Sequence, residues 1–329
     1  MTSEGRIWVL LGAHTGDNNQ LLALARALGR PFETVELRYN LLRKLGPTLL
    51  RTSLAAVTAD SRPKLVPPWP DLVIGIGRRS VPVARWIKRM SGGRTKLVRL
   101  GDPRHDPKLF DLVLTTPQYR VAAAPNVIHL PLALSPYQEP LRAEADETAW
   151  LGQCARPHLL LAIGGKTRNW RLSAETVTQA AVRLAGRASK AGGSLTVVTS
   201  ARTGPELTQA LQQVVAGTSS CRLVEDGRPR FAVLLNDADE CFVTADSVSM
   251  LSEAILSGKP VGLVPLEMSL AGRLRLGGDA RGGHRDLRRF WRRLEQGGLV
   301  GTVDAPRRGK VESPTDTATR AVLELLADS

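Results

Sequence analysis

The stretch VTADSVSMLSEA, residues 243–254, opens as an apolar strand and becomes a helix almost at once. It sets two hydroxyls, Ser247 and Ser249, at the mouth of that helix and a carboxylate, Glu253, one turn inside. The first N–H groups of a helix have no intrahelical acceptor and carry the positive end of its dipole, so hydroxyls there suit an anion, most often phosphate. The same residue types make an ordinary N-cap, which is the plainer reading of this stretch alone.

Other loops carry similar chemistry. In IGGKTRNWRLS, Gly164 and Gly165 precede Lys166 and Arg168; the spacing fails the nucleotide-triphosphate loop, whose first glycine would fall at Leu160. A short glycine turn flanked by cations remains, suited to a diphosphate. TSART places Ser200 and Arg202 beyond another strand, and the arginine fork matches phosphate oxygens. In GAHTGDNNQ, His14 and Asp17 are the groups able to take a proton near neutral pH, Asp17 if its surroundings raise its pKa; a turn capped by Asp17 or Asn18 is the plainer alternative. GIGRRS supplies Gly75, Gly77, Arg78 and Arg79 but only two of the three dinucleotide glycines, and no acidic residue follows near Lys96–Arg99. Asp102 lies in the next loop, GDPRHDP. The DAD at 237–239 matches a metal-holding acidic pair but precedes its strand, at the wrong end for a cleft, so no metal is expected. In HRDLRRFWRRLEQ (284–296), Leu287, Phe290, Trp291 and Leu294 make one helical face. Arg285, Arg288, Arg289, Arg292 and Arg293 crowd the rest: a surface helix packed on a domain, or a patch resting on anionic lipid.

The elements that must hold these loops alternate. Strands are expected at 6–11, 33–37, 71–77, 96–100, 111–115 and 127–130, with helices at 18–28 and 80–90. Residues 131–150 break the rhythm and read as a linker. Strands then recur at 158–163, 194–199, 221–224, 240–244 and 260–264, with helices at 173–190, 204–215 and 247–257 and a last helix at 314–328. Continuous apolar runs indicate strands covered on both faces, as in parallel sheets. The fold class expected is α/β, with two Rossmann-like doubly wound domains facing a cleft: residues 1–140, residues 151–310, and a C-terminal helix within 311–329 packing back on the first domain.

The 329 residues suit two domains, and 43% hydrophobic with 23% charged residues is ordinary for a soluble chain. No apolar run reaches the ~18 residues of a membrane span, and the first residues lack a signal peptide's pattern. Three cysteines, odd in number and without ligand spacing, imply a reducing compartment, so the expected location is cytoplasmic or peripheral on the cytoplasmic face of a membrane. The net charge of +14 calls for an anionic partner. Nucleic acid is not expected, because aromatic residues are only 4% and no binding module is present.

GDNNQLLALARALG, PDLVIGIGRRSVPVARW, RTKLVRLGDPR, LLLAIGG, VVTSART and VTADSVSMLSEAILSGKPV, in this order, resemble the elongated-mitochondria fission-factor family. Its plant members act in mitochondrial division and its bacterial members are described only as candidate glycosyltransferases. That family is similar in layout to the GT-B glycosyltransferases, whose C-terminal domain holds a nucleotide sugar and whose N-terminal domain holds the acceptor. The resemblance assigns Ser247, Ser249 and Glu253, with Gly164 and Gly165 opposite, to the diphosphate and ribose. PDLVIGIGRRS resembles the acceptor-side glycine loop of the peptidoglycan N-acetylglucosamine transferase, and the base would be His14 or Asp17. The activity implied is a metal-independent, inverting glycosyltransferase without a cofactor, using a nucleotide-diphosphate sugar and an acceptor such as an envelope glycolipid. The alternatives are a non-catalytic membrane-associated adaptor that keeps the fold and, more weakly, an NAD-linked enzyme.

Overall fold

The computed structural model describes residues 5–135, 141–165, 167, 169–276 and 285–327. They divide into two compact units, one formed by residues 5–135, 285 and 312–327, the other by the described residues of 141–276 and 286–311.

Unit 1 runs β1 (Ile7–Leu11), α1 (Thr15–Ala27), β2 (Phe32–Glu36), a single turn α2 (Pro47–Leu50), β3 (Leu72–Ile76), α3 (Ser80–Met90), β4 (Lys96–Leu100), β5 (Leu112–Thr115) and β6 (Val127–His129). The sheet order is β2-β1-β3-β4-β5-β6, every pair parallel. Alternate residues of the same strand enter different cores: Ile7, Val9, Leu72 and Ile74 pack with α1, while Trp8, Leu10 and Val73 pack with Val81, Val83 and Ile87 of α3. This two-sided burial is why the strands read as unbroken apolar runs.

Unit 2 runs α4 (Ala145–Leu151), β7 (His158–Ala162), β8 (Trp170–Arg171), α5 (Ala174–Lys190), β9 (Ser194–Val198), α6 (Pro205–Ala216) and β10 (Cys221–Val224). It continues with α7 (Phe231–Asp237), β11 (Glu240–Thr244), α8 (Val248–Leu256), β12 (Val261–Val264), β13 (Glu267–Met268), α9 (Leu270–Leu276) and α10 (Leu287–Gln296). Its parallel sheet has the order β10-β9-β7-β11-β12, beside a small antiparallel β13-β8 pair. The last helix, α11 (Pro314–Ala327), returns to unit 1, where Ala318 and Val322 join Leu21 and Leu24 in one core. No described helix is long and apolar enough to cross a membrane.

The stretch expected as a linker, 131–150, contains structure. Leu132, Ala133 and Leu134 are buried in unit 1, and α4 forms over Ala145–Leu151 behind a capping box of Glu144 and Glu147. Glu147 is buried because Arg230 binds it through Nε and Nη2 at 2.8 and 2.6 Å, which holds its carboxyl down at about 2. Sequence periodicity misses this helix because its anchor lies far along the chain.

Candidate functional site

In an open parallel sheet, ligands bind beyond the carboxyl ends of the strands where the winding direction reverses. That point falls between β1 and β3 in unit 1 and between β7 and β11 in unit 2. The loops singled out in the sequence leave these four strands.

In unit 2, β11 ends at Thr244 and α8 begins at Val248, with Ser247 at the N-cap, 4% exposed. Ser247 makes no capping hydrogen bond; its Oγ lies 3.5 Å from that of Ser249. The plainer reading of these serines as caps therefore fails, and the first N–H groups of α8 are left without a side-chain acceptor. Asp246, just before Ser247, turns away from the helix. Its carboxylate, 1% exposed, accepts from Gly165 N at 2.9 Å and Thr244 Oγ1 at 2.7 Å and pairs with Arg202 Nη2 at 2.9 Å. Thr244 Oγ1 in turn accepts from Gly164 N at 2.8 Å. Asp246 thus ties the loops after β7, β9 and β11 together.

This explains both glycines by internal packing. A Cβ on Gly164 would lie 2.1 Å from Asp246 Oδ2, and one on Gly165 would lie 1.9 Å from the Arg202 carbonyl oxygen. One arm of the Arg202 fork, Nη2, neutralises Asp246, while the side chain stays about half exposed. Ser200 Oγ accepts from Arg202 N at 3.3 Å, Ser200 N donates to Thr203 Oγ1 at 2.9 Å, and Thr203 Oγ1 donates to the Gly164 carbonyl at 2.5 Å, so Ser200 belongs to the turn that shapes the loop. Lys166 and Arg168 lie outside the described residues. Glu253, one turn into α8, is half-buried, and burial alone pushes its carboxyl up from 4.5 to about 7. A carboxyl so placed lacks the donors that would hold its charge.

In unit 1, a cavity of about 200 Å³ is lined by residues of the loops after β1 and β3, among them Gly12, His14, Asp17, Gly77, Arg78, Arg79 and Ser80, with Tyr39. His14 and Asp17 are therefore brought together with Gly77, Arg78 and Arg79 of the expected acceptor loop, while Gly75 is not among the lining residues. The helix starts earlier than expected, at Thr15, so Asp17 and Asn18 sit inside its first turn and cap nothing; Asn18 instead clasps Gly12 through both its amide atoms at 2.9 Å. His14 is exposed at the N-cap position. Burial raises the Asp17 pKa, against the lowering fields of His14, Arg285 and Arg99. A carboxyl raised in this way suits a general base better than an ordinary aspartate does. Gly77 takes a φ of 72°, which only glycine adopts readily, and a Cβ on Gly75 would come within 3.2 Å of Ser80 Oγ.

Arg99 is the residue that sequence reading passed over. It is 1% exposed on β4, with Nη1 donating to Ser80 Oγ at 3.0 Å and Nη2 to the Asp102 carbonyl at 3.2 Å, while its Nε has no partner. Burial lowers its pKa to about 10 although Asp102 and Asp17 oppose the change. The signal available was a charged residue within the apolar run KLVRL. Asp102 is turned to Arg104, which it meets at 3.1 Å, and does not line the cavity.

Two further stretches singled out in the sequence lie in unit 2. Asp237 and Asp239 are engaged by Arg156 and His158, at 2.6 and 2.5 Å for Asp237, and no cluster of three metal-ligating groups exists among the described residues. The helix expected at 284–296 is α10, whose Leu287, Phe290 and Leu294 are at most 2% exposed and whose Trp291 donates to the Ala245 carbonyl at 2.8 Å. Its apolar face is committed to the core, so Arg289, Arg292 and Arg293 are exposed without an accompanying apolar surface. Arg288 binds Asp286 at 2.7 Å, and Arg285 lies before the helix.

The sequence profile of the family described as Mitochondrial fission ELM1 matches residues 15–326. The chain belongs to this family. An uncharacterized protein of Rickettsia prowazekii (strain Madrid E) is 30% identical over 109 residues; the match spans 33% of this chain and 30% of the relative's length. Among solved structures, the MnaA–UDP complex of S. aureus is similar with a TM-score of 0.56 and 11% identity, over 98% of this chain and 96% of that one. The UDP-GlcNAc 2-epimerase of Methanocaldococcus jannaschii gives 0.55 and 11%, over 98% and 100%. That of Neisseria meningitidis bound to UDP-GlcNAc gives 0.54 and 12%, over 98% and 100%. At such identities the likeness establishes the fold: α/β, two Rossmann-like sheets, GT-B-like.

Proposed function

We propose that the protein is an inverting, metal-independent glycosyltransferase that takes its sugar from a nucleotide diphosphate. The observation that supports this most is α8, whose N-terminus carries Ser247 and Ser249 without a capping bond and, one turn on, the half-buried carboxyl of Glu253, raised to about 7 by burial. The N–H groups and hydroxyls would hold the diphosphate, and Glu253 would accept hydrogen bonds from ribose hydroxyls. Similarity to structures solved with UDP and with UDP-GlcNAc lends weight to the same ligand class.

The acceptor would occupy the unit 1 cavity. Asp17, or His14 beside it, would take the proton of an acceptor hydroxyl as its oxygen attacks the anomeric carbon. The bond from that carbon to the leaving phosphate breaks, and the nucleotide diphosphate departs with the electron pair, its charge met by the helix dipole and neighbouring cations. The charge of +14 fits an acceptor at an anionic membrane, such as a glycolipid.

A thermal-shift screen against UDP-, GDP-, ADP-, dTDP- and CMP-sugars, with NAD as control, tests the donor site. A ligand at ~100 times its Kd stabilises by about 2.7 kcal/mol. The expected result is a shift with one nucleotide family, lost in Ser249→Ala and Glu253→Ala. No shift with any nucleotide would favour the non-catalytic adaptor. The likeness to 2-epimerases supports a second reading, inversion at the sugar's own C2. Incubating the responsive sugar without acceptor separates the two: solvent deuterium entering C2 would establish the epimerase and refute the transferase.

A further inference from the structure

The arginine-rich helix α10 was the sequence's candidate for a lipid contact, yet its apolar face is buried in unit 2. A different segment, in unit 1, combines exposed apolar side chains with positive charge. Between Asn40 and Arg51 the chain reads NLLRKLGPTLLR. Leu41 is 75% exposed, Leu49 72%, Leu42 44% and Leu45 41%. Single exposed leucines need no explanation, but four within nine residues do.

These side chains are held outward by ordered backbone. Asn40 Oδ1 accepts from Leu42 N at 2.9 Å and its Nδ2 donates to the Ala55 carbonyl at 2.8 Å. Pro47 and Leu50 of α2 point inward and root the segment. Arg51, at a φ of 46°, turns the chain away after it. Arg43, Lys44 and Arg51 are exposed among the leucines, and no acidic residue occurs from Leu37 to Ala59.

We propose that residues 41–51 are the membrane-docking surface of this protein, with the leucines entering the headgroup boundary of an anionic bilayer and the cations facing its phosphates. Exposed leucines beside Lys and Arg, with no acid among them, match an anionic lipid interface in both its apolar and its charged layer. Tyr39, which immediately precedes the segment, lines the unit 1 cavity. Docking here sets that cavity's rim close to the bilayer, so its substrate is carried by a membrane lipid. The statement about the substrate rests on the transferase reading; the docking does not.

Co-sedimentation with phosphatidylcholine vesicles, with and without phosphatidylglycerol, tests the docking without any nucleotide present. The wild-type protein is expected to bind only the anionic vesicles, and to be released in part at ~1 M salt, where the Debye length falls to about 3 Å. The Leu41→Ser/Leu49→Ser variant should lose roughly 100-fold in partitioning, tenfold or more for each leucine withdrawn. Arg43→Glu/Lys44→Glu should also lose binding, and Arg289→Glu/Arg292→Glu on α10 should keep it. The altered side chains are all exposed, so melting temperatures should stay near wild type. Absence of binding to anionic vesicles, undiminished binding by the leucine variant, or loss confined to the α10 variant would each overturn the proposal. So would self-association abolished by the leucine variant in a protein that ignores vesicles, since the leucines would then cover a second copy of this chain. Nucleotide-induced thermal shifts, read on the same samples, fail or succeed independently.

Discussion

Replacing Glu253 by Gln should make the protein more stable above neutral pH and leave it unchanged in acid. In the folded chain burial raises the carboxyl's pKa from 4.5 to about 7, whereas in the unfolded chain it titrates near its ordinary value. Between these two values the folded state holds a proton that the unfolded state has released, so stability falls as pH rises through this window. The interval of ~2.5 pH units corresponds to about 3 kcal/mol at 1.36 kcal/mol per unit, an upper bound because water reaches a half-buried group. Gln keeps the shape and cannot ionise. Urea denaturation followed by tryptophan fluorescence should show Glu253→Gln equal to wild type near pH 4.5 and more stable by about 1–3 kcal/mol near pH 8. Equal stability at both pH values, or a less stable variant near pH 8, would refute the claim that an uncompensated carboxyl sits beside the mouth of α8. The same reasoning extends to the ligand. Hydrogen bonds from ribose hydroxyls would favour the ionised form, so nucleotide binding near pH 6 should release up to one proton, measurable by calorimetry in buffers of different ionisation enthalpy.

Asp246→Asn removes the charge that pairs with Arg202 inside a closed network. It should cost about 1–3 kcal/mol, because Gly165 N–H and Thr244 Oγ1 lose a charged acceptor while the half-exposed Arg202 is rehydrated, a fall of several degrees in the melting temperature of unit 2; a loss within experimental error would show that the loops hold without it. Arg99 has no carboxylate on its guanidinium and an unpartnered Nε, so Arg99→Met should leave stability in urea denaturation unchanged or raise it by about 1 kcal/mol. Strong destabilisation by Arg99→Met would place the residue in the scaffold instead. Burial disfavours a charged His158, yet its hydrogen bond to Asp237 and nearby negative charge outweigh this and raise its pKa to about 9. The stabilisation is complete below ~6.5, the unfolded value, and fades as pH rises through about 9. Asp237→Asn should therefore destabilise most in the acidic part of a pH series from 5.5 to 10; a constant or opposite trend would refute the pairing.

Most elements were legible in the amino-acid order, and the exceptions share one cause. Strands such as LVIGI and the LLLA of β7 declare themselves because both faces of a parallel sheet are covered, leaving unbroken apolar runs that need no partner to be recognised. Helix α4 does not, because Glu147 is fixed by Arg230, 83 residues away. The positions of the candidate loops follow from the strand order, which the alternation of elements implies.

The sequence by itself determined where the chemistry could lie: glycines, serines and cations at the carboxyl ends of β1, β3, β7 and β11. Only the tertiary structure decided what each residue does there. Asp246, which the sequence did not single out, became a clasp for Gly165 and Arg202, and Arg99 became a buried cation behind Ser80 when it had looked like part of a strand. It also moved the candidate lipid contact from α10, whose aromatic face the core of unit 2 takes up, to Leu41, Leu42, Leu45 and Leu49, which unit 1 leaves exposed. Periodicity reports which face of a segment is apolar. Whether that face, or a charge, finds a partner depends on side chains brought from distant parts of the chain, and that is settled only by packing.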